Sequence, residues 1–156
     1  MRSVADFYQD CIAAVDQQPP LDVQLADAVS CVLAEDVRAP FNLPVADLAA
    51  CDGYAVRASD CSRAALDAPV TLPVTEEIRA GVVDPAALVP GTAIRIASGA
   101  PVPAGADAVV ALEFTDHGVA EVGVRSAPAV GENIRRRAED VAEGQVVLRS
   151  GARVGA

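Results

Sequence analysis

Short apolar runs separated by glycine-centred turns constrain this chain more than any other feature. Beginning near Asp52 they fall at Gly53 to Val56, Val70 to Val74, Ala93 to Ile96, Ala108 to Leu112, Val119 to Val124 and Gln145 to Leu148. Between them lie Ala80-Gly81, Pro90-Gly91, Ser98-Gly99, Ala104-Gly105 and His117-Gly118. Runs this brief cannot bury a helical face, but each suits one strand, and the turns between them let strands pair. The expectation is an α+β chain that is mainly β.

Ahead of that region the texture is different. Val4, Phe7, Tyr8, Cys11, Ile12 and Val15 recur at spacings of three and four, which predicts an amphipathic helix over Ser3 to Val15. Ser3 is the expected N-cap, with Asp6 three positions on, and Pro19-Pro20 ends the pattern. A second, shorter helix is predicted at Leu25 to Leu33, on the narrower stripe of Leu25, Ala28, Val29 and Val32. Ala34 to Pro44 reads as extended, because Pro40 and Pro44 bias the residues before them away from helical angles.

Composition excludes several chemistries. Of 156 residues 52% are hydrophobic but only 3% aromatic, so Val, Leu, Ile and Ala must fill the core. All 12 basic residues are Arg, which removes a lysine Schiff base or a phosphate-loop lysine. A net charge of -10 repels phosphate backbones, so no nucleic-acid partner is expected. No run of about 18 apolar residues is present to span a membrane. Acidic Asp6, Asp10 and Asp16 stand where a secretory signal would need a basic start. Cys11, Cys31, Cys51 and Cys61 form no C-x-x-C pair, which fits reduced thiols in the cytoplasm. The lone His117, in Thr115-Asp116-His117-Gly118, reads as a hairpin turn rather than a triad member.

Three segments stand out as carriers of chemistry. Cys51-Asp52-Gly53-Tyr54-Ala55-Val56 places a carboxylate at a strand entrance, although Asp-Gly is also a common turn dipeptide. Ser98-Gly99 follows a strand and opens a loop stiffened by Pro101 and Pro103. Its hydroxyl and backbone N–H groups could receive an anion, or the loop could be a plain connection. Asn133-Ile134-Arg135-Arg136-Arg137-Ala138-Glu139-Asp140 sets three guanidinium groups together. They could bind phosphate or carboxylate, or be neutralised by Glu139 and Asp140 in a local ion-pair network. If the run is extended, Arg135 and Arg137 share one face and Arg136 takes the other.

In this order the segments resemble the molybdopterin molybdotransferase family, the bacterial MoeA type also found in gephyrin's carboxyl half. The matching stretches are Val32 to Val37, Asp52 to Arg57, Ser98-Gly99-Ala100-Pro101 with Pro103, Gly105, Asp107, Ala108 and Val109, then Glu113 and Thr115, then Asn133 to Arg137 with Glu139-Asp140. The resemblance implies insertion of molybdate into adenylylated molybdopterin with Mg²⁺ assisting. It implies an N-terminal helix and first linker-domain segment at 1–45, a mainly β inserted domain at 46–140 and a second linker-domain segment at 141–156. By the same resemblance Asp52 and Asp140 would be catalytic and hold the metal, and Ser98, Arg135 and Glu113 would bind the substrate cofactor. It further implies a homodimer, and an α/β domain and final β domain supplied beyond these residues or by a separate chain. A non-catalytic, dimerising or docking module of molybdenum-cofactor proteins is the alternative.

The departures are specific. Ala49-Ala50-Cys51 stands where the family has S-A-M, and Leu48 where an Asn is usual. Ser98 replaces Thr and keeps the hydroxyl. Ala138 replaces the Gly of R-R-R-G-E-D, a change expected to be harmless on extended backbone.

Overall fold

The computed structural model describes residues 2–16 and 18–155. They form two compact units, one drawn from the described residues up to 37 and from 146 onward, and one of residues 38–145.

The smaller unit begins with helix α1, Val4–Ala13. Ser3 caps it as expected: its hydroxyl accepts from the Asp6 N–H at 3.1 Å, and the Asp6 carboxylate reaches back to the Ser3 backbone. This reciprocal box satisfies two N–H groups that the first turn leaves unpaired. None of the helix residues is buried, and Phe7, Tyr8 and Ile12 are all exposed. The second expected helix does not form. Only a 3-10 turn at Leu25–Asp27 is present, and Ser30 turns into the left-handed region at φ 72°. The chain instead hydrogen-bonds across to the carboxyl-terminal segment, Ser30 N–H to Val154 O and Leu33 N–H to Ala152 O, both at 2.9 Å. A nine-residue helix carrying branched Val29 and Val32 is too short to repay its own nucleation, and the long-range pairing wins.

Strand β1, Val37–Arg38, pairs with β9, Val146–Leu148. The larger unit holds the other seven strands. They are β2 (Leu48–Ala49), β3 (Gly53–Val56), β4 (Val70–Ile78), β5 (Ala93–Ile96), β6 (Ala108–Ala111), β7 (Glu121–Val124) and β8 (Ile134–Arg135). Five make one sheet in the order β6-β3-β5-β4-β7, antiparallel except for the parallel β4–β5 pair. Both sheet faces are covered, so β3 is buried at every position rather than alternating. One face carries Tyr54, Val56, Leu72, Ala93, Val110, Val122 and Val124; the other carries Ala55, Ile78, Ile94, Ile96 and Val109. Strands β6 and β7 lie at opposite ends of the order yet feed the same cluster, so the sheet curls. The segment after β6 meets β7 through the Thr115–Val124 bridge and the Arg125 N–H to Phe114 O bond at 2.8 Å. The chain is mainly β, as its runs imply.

Gly53 explains the Asp-Gly dipeptide. A Cβ there would run into the Val110 carbonyl oxygen, so only glycine lets β3 and β6 approach. The dipeptide opens a strand and is not a turn.

Candidate functional site

The short strand β2 gathers the motif segments. Leu48 pairs with Arg135 and Ala49 with Ile134 on one side, while Leu48 bridges to Pro101 on the other. Ala49 N–H donates to Ala100 O and Gly99 N–H to Ala49 O, each at 2.9 Å. The Ser98 loop and the arginine run therefore flank the same two residues, and Asp52 follows three positions later.

The Ser98 loop is tied down from within. Ala100 N–H closes a turn on Ala97 O at 3.0 Å, with Gly99 at φ 76° in the place where a type II turn needs glycine. Ser98 N–H donates to Asp52 Oδ1 at 2.7 Å, and Ser98 Oγ lies 3.4 Å from Ala50 O. The N–H groups expected to receive an anion are thus taken by Asp52, Ala49 and Ala97. The loop's role in this structure is to hold Asp52, whose second carboxylate oxygen has no protein partner among the described residues.

The arginine run is not extended throughout. Strand β8 ends at Arg135, and Ala138 adopts φ 64° in a turn closed by Glu139 N–H on Arg136 O at 3.1 Å. Each charge has a distinct setting. Arg135 pairs with Asp140 at 2.5 Å, both about half exposed. Arg136 Nη1 meets Asp47 Oδ2 at 2.7 Å, and the other Asp47 oxygen accepts the Arg137 N–H at 2.8 Å. Glu139 accepts the Arg136 N–H at 2.8 Å. The local ion-pair reading thus describes the resting arrangement for Arg135 and Arg136. Asp47 is the residue that sequence reasoning missed. Its carboxyl is held below the ordinary range, first by the Arg137 N–H and then by Arg136, against the opposing effect of burial.

Glu113 lies on a 3-10 turn, Leu112–Phe114, whose Leu112 N–H donates to Asp52 O at 3.2 Å. Burial pushes the Cys51 thiol up, and the charges of Glu113, Asp52 and Glu132 push it further. His117 is a turn residue, at φ 61° beside Asp116, whose Oδ1 accepts the Gly118 and Gly123 N–H groups.

Among the described residues no three His, Cys, Asp or Glu side chains come together to hold a metal ion. Mg²⁺ sites commonly use one or two carboxylates and leave the rest to water and substrate phosphate. Asp52, with one hard oxygen unengaged, fits that lesser demand.

A small curled β unit thus sets an oriented carboxylate and two ion-paired arginines around one two-residue strand. Residues 2–156 match the model described as the MoeA N-terminal region, domains I and II, and the chain belongs to that family. It is 48% identical over 151 residues to molybdopterin molybdenumtransferase 2 of Mycobacterium tuberculosis, covering 97% of this chain and 37% of that protein. It is 40% identical over 107 residues to the molybdopterin molybdenumtransferase of Bacillus subtilis, covering 66% and 25%. The crystal structure of a molybdopterin biosynthesis MoeA protein from Pyrococcus horikoshii superposes with a TM-score of 0.79 at 41% identity, over 85% of this chain and 35% of that one. The chain thus spans well under half the length of the relatives it matches.

Proposed function

We propose that this chain serves molybdenum cofactor biosynthesis as the N-terminal part of a molybdopterin molybdotransferase, joining molybdate to the dithiolene of adenylylated molybdopterin. The observation that carries the reading is the convergence of the three motif segments on β2. In this reading Arg135 exchanges its exposed Asp140 partner for a phosphate or molybdate oxygen, an exchange that costs little because surface ion pairs are weak. The freed Asp140 and the oriented Asp52 then face the substrate together, while Ser98 N–H keeps Asp52 in place. Glu113 borders the same side, and the Ser98 hydroxyl meets the pterin. Mg²⁺, held by Asp52 and Asp140, would neutralise the adenylate phosphate and polarise its oxygens.

The finer arrangement belongs to the same proposal. The segments before and after the β unit form an elongated linker domain into which that unit is inserted. The protein works in the cytoplasm as a homodimer, with an α/β domain supplied by the same polypeptide or by a separate chain. The isolated 156-residue chain is not expected to insert molybdenum. Holding adenylate, cation and molybdate in one geometry needs more positioning groups than this cleft wall provides.

A second reading, a docking module without turnover, is favoured by β2 itself, since Leu48 and Ala49 bring neither amide nor hydroxyl to the site. Complementation separates the two. The reading frame containing this chain is placed in a strain lacking molybdotransferase, and molybdoenzyme activity is measured for wild type, Asp52→Ala and Arg135→Ala. Restoration by wild type and loss in both variants supports the enzyme. Equal restoration by all three refutes the assigned residues, and no restoration by wild type favours docking.

A further inference from the structure

Among the described residues the half-buried Arg95 of the curled sheet makes no hydrogen bond or ion pair through its guanidinium. Arg95 lies on β5, opposite Tyr54 on β3 and Glu77 on β4, so the three side chains share the inner face. Tyr54 is fully buried and Arg95 is half-buried. Among the described residues no carboxylate or carbonyl oxygen accepts from the Arg95 guanidinium. Its neighbour Glu77 turns instead to Arg79, at 3.5 Å. A partly desolvated charge with no counter-ion is unusual, because solvation lost on burial is normally repaid by pairing.

Arg95 also faces open space. It lines a cleft of about 110 Å³ together with Asp52, Gly53, Glu77 and Leu112. A second cleft of about 230 Å³, lined by Thr75, Glu76 and Val119, shares both Arg95 and Glu77 with the first. The charges in the smaller cleft are two carboxylates and one guanidinium, which disfavours a bare anion. They suit a phosphate that carries its own divalent cation, with phosphate oxygens on the guanidinium fork and the cation on the carboxylates.

We propose that Arg95 is a second anion-binding residue of this chain, gripping a phosphate group whose divalent cation is shared with Asp52 and Glu77. The proposal deepens the functional reading and rests on its assignment of Asp52 to the substrate side. It places a phosphate of the substrate other than the one assigned to Arg135 in the cleft beside Asp52.

The test is calorimetric titration of the chain with inorganic pyrophosphate, with and without Mg²⁺, in wild type, Arg95→Gln, Arg95→Lys, Asp52→Asn and Arg135→Ala. Wild type should bind more tightly with Mg²⁺, and Arg95→Gln should weaken that binding by about tenfold or more. Arg95→Lys should retain part of it, because an ammonium keeps the charge and loses the fork. Asp52→Asn should remove the Mg²⁺ dependence. The thermal midpoint of Arg95→Gln should stay at the wild-type value, since no internal partner is lost; a structural arginine would lower it. Equal affinity in wild type and Arg95→Gln, or no Mg²⁺-dependent binding by wild type, overturns the proposal. If Arg135→Ala alone abolishes binding, Arg95 is excluded and the functional reading stands. If Arg95→Gln weakens binding while the complementation variants behave as wild type, Arg95 stands and that reading falls.

Discussion

Replacing Ala138 by glycine should stabilise the protein, although glycine elsewhere in a folded chain usually does the opposite. Ala138 sits at φ 64°, third in the turn from Arg136 to Glu139. It is held there by bonds on both sides: its own N–H to Pro44 O at 3.0 Å, and the Asp140 and Val141 N–H groups to Leu43 O at 3.0 and 3.1 Å. An L-residue in this region pays about 1–2 kcal/mol for the clash of its Cβ with the following carbonyl. Glycine avoids that cost but loses about 0.4–1 kcal/mol more chain entropy on folding. The difference favours Ala138→Gly by about 0.5–1 kcal/mol, or about 1 to 4 °C in thermal midpoint for a chain of this size. Urea titration followed by circular dichroism measures it, with Ala138→Val as the opposite perturbation, expected to destabilise. A lower midpoint for Ala138→Gly would refute the reasoning and mean that the turn relaxes around alanine without strain.

Further outcomes follow from the same geometry. Asp47→Asn should lower stability at neutral pH and flatten the acid limb of the stability curve. The Asp47 carboxyl is held below its ordinary 3.8, so its bonds are fully present above that value and lost as pH falls through the lower folded one. Denaturant titrations between about pH 2 and 5 in both proteins check the slope. At the alkaline end, burial foremost, with Asp60 and Asp107 adding, pushes the Cys61 thiol up from 9.0 to about 11. Its contribution is complete below 9.0 and drains away as pH rises through about 11, roughly 3 kcal/mol in all. Cys61→Ala should remove most of that alkaline slope, while a thiol reagent at neutral pH should modify exposed Cys11 and Cys31 and spare Cys61. Gly53→Ala should cost more than about 4 kcal/mol, because the Val110 carbonyl that its Cβ meets is backbone and cannot swing aside. A soluble Gly53→Ala protein with a wild-type midpoint would contradict the close approach of β3 and β6.

The apolar runs were legible because each was one strand long. Gly53–Val56 and Ala93–Ile96 match their runs, and β4 continues past its run to Ile78 because its parallel partner β5 extends that far. Strands β2 and β8, two residues each, leave no periodicity to read; they exist because the Ser98 loop and the arginine run dock on either side of Leu48. The helix expected from Leu25 failed for a related reason, a local stripe overruled by pairing with residues more than a hundred positions away. Among the site residues, Asp52 and Arg135 were marked by their motifs. Asp47 and Arg95 were not, since a lone acid in an extended loop and a lone arginine inside a strand acquire meaning only from what the fold places beside them. Ala138 shows the reverse: the change was expected to be harmless on extended backbone, and the fold puts a left-handed turn residue there instead.

The most direct measurement titrates molybdate and AMP separately into the isotope-labelled chain and its Arg135→Ala variant, following backbone amide shifts. The convergence on β2 leads us to expect shifts at Asp52, Ser98 and Arg135 with an affinity on the order of millimolar, about 4 kcal/mol, and their loss in the variant. Identical titrations in the two proteins, or shifts confined to residues remote from β2, would contradict the assignment of this surface to the substrate's anionic groups.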